Sequence, residues 1–246
     1  MRKIFLTYCL LVITCCTFAQ ERREQNRPYT DLRPVHFGIV AGMNFQDTKF
    51  SNVGLQQLTT VDGVELPESE IYCDQNNWSM GFNVGVLMET RLNQCFAFRA
   101  APQLYFNSRS LQFYNQINKQ VNADPIRQDL KMVYVGADLD LIFASQRFNN
   151  HRPYVMAGLA PMVNLTSNSG EYVRLKPFEL FLEVGMGCDF YLPFFKLRPE
   201  IKFMYGLTNS LDNNYIKSIR DDSILPYSAS VNKARSKMFV ISFYFE

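Results

Sequence analysis

Nucleophilic or acid–base catalysis needs a histidine within reach of a serine or cysteine and a carboxylate. The chain holds two histidines, His36 and His151. His36 opens a segment of alternating apolar and polar residues and takes the inward parity, and His151 lies in a short polar link. Neither position suits a triad, so the chain is expected not to be an enzyme. Of six cysteines, Cys9, Cys15 and Cys16 belong to an N-terminal apolar run, while Cys73, Cys95 and Cys188 are odd in number and far apart. They show no metal-type spacing, and by strand parity Cys188 faces outward and Cys95 inward, so that pair would not bridge. No metal, phosphate or nucleotide motif is found, and no cofactor is expected. What does recur is charge at alternate positions: Glu89, Arg91, Arg99, Asp138, Asp140, Glu183, Asp189, Arg198, Glu200 and Lys202. Such a set reads either as a transport path or active site, or as a network of paired groups.

The elements that would position these charges are clearest between Phe178 and Leu207. Leu180, Leu182, Val184, Met186, Cys188 and Phe190 alternate with Glu179, Phe181, Glu183, Gly185, Gly187 and Asp189, the period-two pattern of a strand. After Leu192-Pro193-Phe194-Phe195 the alternation resumes, with Leu197, Pro199, Ile201, Phe203, Tyr205 and Leu207 opposite Arg198, Glu200, Lys202, Met204 and Gly206. This is a hairpin whose polar face carries charges of both signs together with glycines. Glycine weakens an ordinary strand, but the inner wall of a small closed barrel must alternate small with large residues to be filled. Charge inside and hydrocarbon outside define a membrane barrel.

The N-terminus agrees. Arg2 and Lys3 precede an apolar run from Ile4 through Thr14, and Thr17-Phe18-Ala19 offers a cleavage site before Gln20, so residues 1–19 read as a secretory signal. Lipidation at Cys15 or Cys16 is disfavoured by Ile13 and Thr14 as preceding residues. No later apolar run approaches the length of about 20 residues that a membrane helix needs. Residues 20–34, with Arg22, Arg23, Arg27 and Arg33 but no periodicity, read as a flexible periplasmic lead, and residues 35–246 as the barrel. A formal charge of +2 gives no strong pull toward nucleic acid, which is not expected as a partner.

Six further strands follow from the same alternation: Val35 to Phe45, Met80 to Arg91, Cys95 to Phe106, Lys131 to Phe143, Pro153 to Leu165 and Met238 to Glu246. Pro102 is awkward in a paired strand and suggests a bulge, and the segment from Pro153 is apolar on both faces with Pro161 inside it. The links between the eight strands run long, short, long, short, long, short, long. Outer-membrane barrels show that rule, with short turns toward the periplasm and long loops outside. The expected fold is therefore an all-β, eight-stranded antiparallel transmembrane barrel of the outer membrane, with a filled polar interior and both termini periplasmic. An eight-stranded barrel leaves no aqueous channel, so the inward charges are read as a structural interior network of Glu89, Arg99, Glu183, Arg198, Glu200 and Lys202. Plausible neighbours are Arg99 with Glu89 or Gln103, and Arg198 or Lys202 with Glu183 or Glu200. The outward aromatics are assigned to lipid, and specificity to the long loops.

Four segments carry a family resemblance: HFGIVAGMN from His36, RPYVMAGLAP from Arg152, GCDFYLPFFKLRPEIKFMYGL from Gly187, and ISFYFE at the C-terminus. They resemble the PorT family of outer-membrane β-barrels, most sharply in the Gly187 to Leu207 hairpin. The resemblance implies a component of the type IX secretion system, which exports proteins bearing C-terminal sorting domains and in some bacteria supports gliding motility. It implies outer-membrane lipid and other secretion-system proteins as partners, leaves contact with cargo open, and supplies no catalytic residues. The alternative reading is a general small barrel whose extracellular loops bind a ligand, lipid or host surface.

Overall fold

The computed structural model describes residues 26–59, 63, 65–75, 77–115, 126–166, 172–219 and 221–246. The signal expected over residues 1–19 and the first part of the lead lie outside the described residues. Among the described residues the strands are β1 (Val35–Asn52), β2 (Leu55–Gln56), β3 (Ser69–Asp74), β4 (Ser79–Arg91), β5 (Phe96–Asn115), β6 (Ile126–Ala144), β7 (His151–Asn164), β8 (Phe178–Tyr191), β9 (Lys196–Gly206) and β10 (Val231–Phe245), with a short α-helix, α1 (Leu225–Ala229). They form a single sheet in the order β2-β3-β5-β4-β1-β10-β9-β8-β7-β6, and pairing of β6 back to β5 closes it. Eight long antiparallel strands thus make the barrel, and β2 and β3 sit beside the upper part of β5. Closure gives each of the eight long strands a partner on both sides, the condition for backbone placed in hydrocarbon.

The strand alternation places residues as the sequence pattern predicts. On β5, Phe96, Phe98, Pro102 and Leu104 are exposed while Arg99, Ala101, Gln103 and Tyr105 are buried. On β8, Leu182, Val184, Met186 and Phe190 face out, and Glu179, Phe181, Glu183 and Asp189 face in. From Phe96 to Phe106 and from Val133 to Phe143 every second residue is an outward apolar one. At about 3.4 Å per residue and a tilt of about 40°, such a run rises about 25 Å, the height of the apolar band on an outer-membrane barrel.

No bulge forms at Pro102. β4–β5 pairing runs through Gly85↔Gln103, skips two residues on each strand and resumes at Met88↔Ala100 in the same register, while Pro102 stays paired to Ala137 of β6. A proline lacks only its own N–H, so one strand neighbour loses rungs and the other does not. Pro161 and Pro199 behave alike, each leaving a gap toward β6 or β8 and a continuous ladder toward β8 or β10. The segment expected to be the least regular, β7, is a full strand with Tyr154, Met156, Ala160 and Met162 inward.

Four strands run past the expected ends, all at the end bearing the long loops: β1 to Asn52, β5 to Asn115, β6 back to Ile126 and β10 back to Val231. The segment from Gln46 to Ser79, expected as polar loop, also contributes β2 and β3. Polarity inverts along these extensions. Arg127, Asp129 and Lys131 now face out, while Leu111, Phe113, Leu130 and Met132 face in. With Ile71, Cys73, Val173, Leu175, Leu211, Val231 and Ala234 they make one apolar core above the band. Tyr172 and Tyr227 of α1 close it from the top, their rings 5.6 and 5.8 Å from that of Phe113.

Candidate functional site

Most charged groups of the barrel interior occupy its lower half, with Arg109 and Glu179 buried higher up, and strand register sets their arrangement. His36, Glu89, Arg99 and Asp140 are consecutive partners across β1, β4, β5 and β6, followed by Gly158 on β7 and Glu183 on β8. A side chain at Gly158 would collide with the Asp140 carboxyl, so the glycine provides the space through which that carboxyl leans toward Glu183. Gly187 does the same for Tyr154, whose hydroxyl crosses it to donate to Glu200 at 2.7 Å. Inward glycines in this barrel are therefore crossing points for larger neighbours.

Three tiers result. Nearest the short turns, Arg198 bonds Asp189 at 2.5 Å and Glu246 at 3.2 Å and pairs with Glu89, while Lys196 pairs with Glu246 and His36 lies 3.5 Å from that carboxylate. In the middle, Arg99 reaches Glu200 at 2.7 Å and Glu89 at 3.4 Å and lies over the Tyr244 ring at 4.5 Å. Above it Lys202 pairs with Asp138 and bonds Glu183 at 3.1 Å; Gln103 and Tyr105 donate to Asp138 at 2.6 and 2.8 Å. All six residues expected in the network, Glu89, Arg99, Glu183, Arg198, Glu200 and Lys202, are brought together. Arg99 pairs with Glu89 and Lys202 with Glu183, two of the neighbours expected from the sequence; Arg198 turns instead to Glu89, Asp189 and Glu246.

The sequence reading missed Lys196 and Glu246, which stand at a turn and at the chain end, beyond any alternation. It also left the tyrosines Tyr105, Tyr154 and Tyr244 out of the network, although all three share the inward parity of β5, β7 and β10. In these three tiers seven carboxyl groups (Glu89, Asp138, Asp140, Glu183, Asp189, Glu200, Glu246) meet four permanent cations (Arg99, Lys196, Arg198, Lys202), while buried Glu179 and Arg109 lie above them. The excess concentrates at Asp140 and Glu183. The two carboxyls come within hydrogen-bonding range of each other. If both were ionised neither would supply a hydrogen, and both Asp140 oxygens and Glu183 Oε1 lack a donor.

Both ends of this interior are covered. Above lies the apolar core. Below, the lead expected to be flexible is docked from Asn26 onward: Asn26 donates to Asn150 at 3.0 Å and to the Tyr191 carbonyl at 2.9 Å, and Arg27 to the Glu246 carbonyl at 3.0 Å. A 3-10 turn at Thr30–Leu32 presents Asp31, which accepts from Tyr191 at 2.5 Å, while Arg91 donates to its carbonyl at 2.7 Å. Arg147 stacks 3.7 Å from the Tyr191 ring and donates to the Arg27 carbonyl. Between lead and network remains a cavity of about 20 Å³ bordered by His36, Glu89, Cys95 and Lys196, room for a single water. His151 is exposed at the start of β7, its ring against Phe148, so the two histidines occupy separate positions at the short-turn end. Cys73, Cys95 and Cys188 are free thiols.

A closed antiparallel barrel with an apolar exterior band and a polar interior is a membrane-spanning β-barrel; among the described residues no helix is long and apolar enough to cross a membrane. The family model for the outer membrane protein β-barrel domain matches residues 18–212, and the chain belongs to that family. Its place is the outer membrane. Among solved structures it is similar to the outer membrane protein OprG of Pseudomonas aeruginosa, at 12% identity and a TM-score of 0.45 over 85% of this chain and 93% of that one. It is also similar to Neisserial surface protein A, at 12% identity and a TM-score of 0.42 over 86% and 98% of the two chains. No curated protein matches the sequence.

Proposed function

We propose that this chain is a non-enzymatic outer-membrane barrel required for type IX protein secretion, acting through contacts with other secretion proteins. The observation that carries the mode of action is the filled lumen: buried ion pairs below, an apolar core above and a docked lead leave the outer surfaces and loops as the places where a partner can act. The assignment to this secretion route rests on the resemblance of the His36, Arg152, Gly187 and C-terminal segments to the PorT family. Loss of gliding motility would follow as a secondary effect of failed export.

The test is deletion of the gene. Proteins with C-terminal sorting domains are expected to accumulate in the periplasm of the deletion strain, with surface delivery restored by the wild-type gene; normal delivery without the gene would end the proposal. The general-barrel reading is favoured by one feature, the packed cap formed by Tyr172, Tyr227 and the strand extensions. It predicts that removing the loops abolishes adhesion or ligand capture while secretion continues.

A further inference from the structure

Outside the barrel, the β9–β10–β1 face changes character at one level. Phe203, Phe239 and Phe45 are register partners across the three strands, and with Trp78 they line an apolar groove of about 350 Å³. One rung toward the long loops, Tyr205, Lys237 and Asp47 are partners, and the next outward pair is Lys49↔Arg235. Arg235 donates to the Tyr205 hydroxyl at 3.1 Å, and Lys237 and Lys49 stand at the neighbouring outward positions of β10 and β1. Three cations thus stand over the groove against the single carboxylate of Asp47.

This end of the barrel bears the long loops and so faces the outside, and the basic cluster stands where the apolar band stops, at headgroup depth. A clustered positive charge at that depth recognises a phosphorylated headgroup, and an aromatic-lined groove directly beneath it suits an acyl chain. We propose that this face binds one phosphorylated glycolipid of the outer leaflet, of the lipid A class, with phosphate on Lys49, Arg235 and Lys237 and an acyl chain along Phe45, Trp78, Phe203 and Phe239. A glycolipid with acyl chains beside its phosphates meets both halves of the site at once; free phosphate meets only one. The site is independent of the secretion reading, since it needs only the outer-membrane placement.

The mature barrel, folded in detergent, would be titrated with bisphosphorylated lipid A and the retained lipid counted by native mass spectrometry. One lipid is expected to stay bound to the wild type, with dephosphorylated lipid A and phosphatidylethanolamine retained far more weakly. The K49Q/R235Q/K237Q variant should bind roughly 100-fold more weakly, from about fivefold per basic group. Asp47→Asn, which removes the one opposing charge, should bind several-fold more tightly, and Trp78→Ala with Phe239→Ala should lose the lipid without loss of the cations. Unchanged binding by the triple variant, equal retention of dephosphorylated lipid, or full displacement by millimolar inorganic phosphate would overturn the proposal. If the triple variant fails to fold, the wild-type comparison of phosphorylated with dephosphorylated lipid decides alone.

Discussion

The two halves of this barrel are built from the same strands with the same parity and opposite chemistry. In the lower half β5 turns Phe98, Pro102 and Leu104 outward and Arg99, Gln103 and Tyr105 inward; in the upper half the same strand turns Ser108, Ser110 and Gln112 outward and Leu111 and Phe113 inward, with Arg109 the one inward charge, bonded to Ser236. The lower half is solvated by hydrocarbon and must satisfy its polar groups internally; the upper half is solvated by water and buries apolar groups as a soluble domain does. The two interiors fail by different physics. An apolar core loses free energy in proportion to the volume removed, whereas a buried ion network loses most when one partner is left uncompensated.

The sharpest way to break the comparison is Arg198→Met in the lower half. Asp189, Glu89 and Glu246 would all lose their shared cation. A loss of about 3–5 kcal/mol is expected, read as a lower urea midpoint and loss of the heat-resistant band in gel mobility. A variant that folds as stably as wild type yet fails in secretion would instead mean that the interior acts in function.

Phe113→Ala makes the corresponding lesion in the upper half. It removes the ring on which Tyr172 and Tyr227 pack, a truncation of the kind that costs about 3–5 kcal/mol in a soluble core. Here the lesion should stay local, because the lower barrel closes without it: protease should nick the loops while the heat-resistant band survives. Cys73 gives a second readout. Its thiol is buried in the same core, and burial pushes its pKa up, so it should resist alkylation in the wild type and react in Phe113→Ala. Loss of the whole barrel on this substitution would show that the halves fold as one unit.

Legibility in the sequence follows the same division. In the lower half, outward apolar residues recur at every second position for the length of a membrane crossing, so all eight crossings and the inward charges within them could be read directly, Lys196 and Glu246 at the strand ends excepted. The extensions escaped because the pattern that marks a crossing reverses there: Lys131, the expected start of a strand, is the last outward polar residue of the extension of β6 rather than its end. β2 and β3 are short and polar on one side, and nothing in the sequence pairs Cys73 with Phe113. The docked lead could not be read either, since its hold comes from backbone carbonyls and from Asp31 on Tyr191, contacts that need no periodicity. Cross-strand partners such as Glu89↔Arg99 were accessible because adjacent hairpin strands fix register; Arg198 with Glu89 spans the lumen and requires closure.

The smallest expected effect distinguishes two aspartates two residues apart on β6. Asp138 pairs with Lys202 and accepts from Gln103 and Tyr105, so Asp138→Asn leaves a buried ammonium with Glu183 as its one remaining carboxylate partner here. A loss of about 2 kcal/mol follows from a weakened charged hydrogen bond in a dry site. Asp140, in contrast, faces Glu183 across Gly158 with no donor between them, and its nearest cation, Arg99, is 3.9 Å away. Asp140→Asn supplies an N–H to Glu183 and removes one carboxyl from a site that holds too many. Its urea midpoint should therefore equal or exceed that of the wild type. Two substitutions of the same type, on the same strand and face, would then differ in sign, which burial alone cannot produce. If both destabilised equally, the interior would be tuned by shape alone, and the contrast between a charge-governed lower half and a volume-governed upper half would fail.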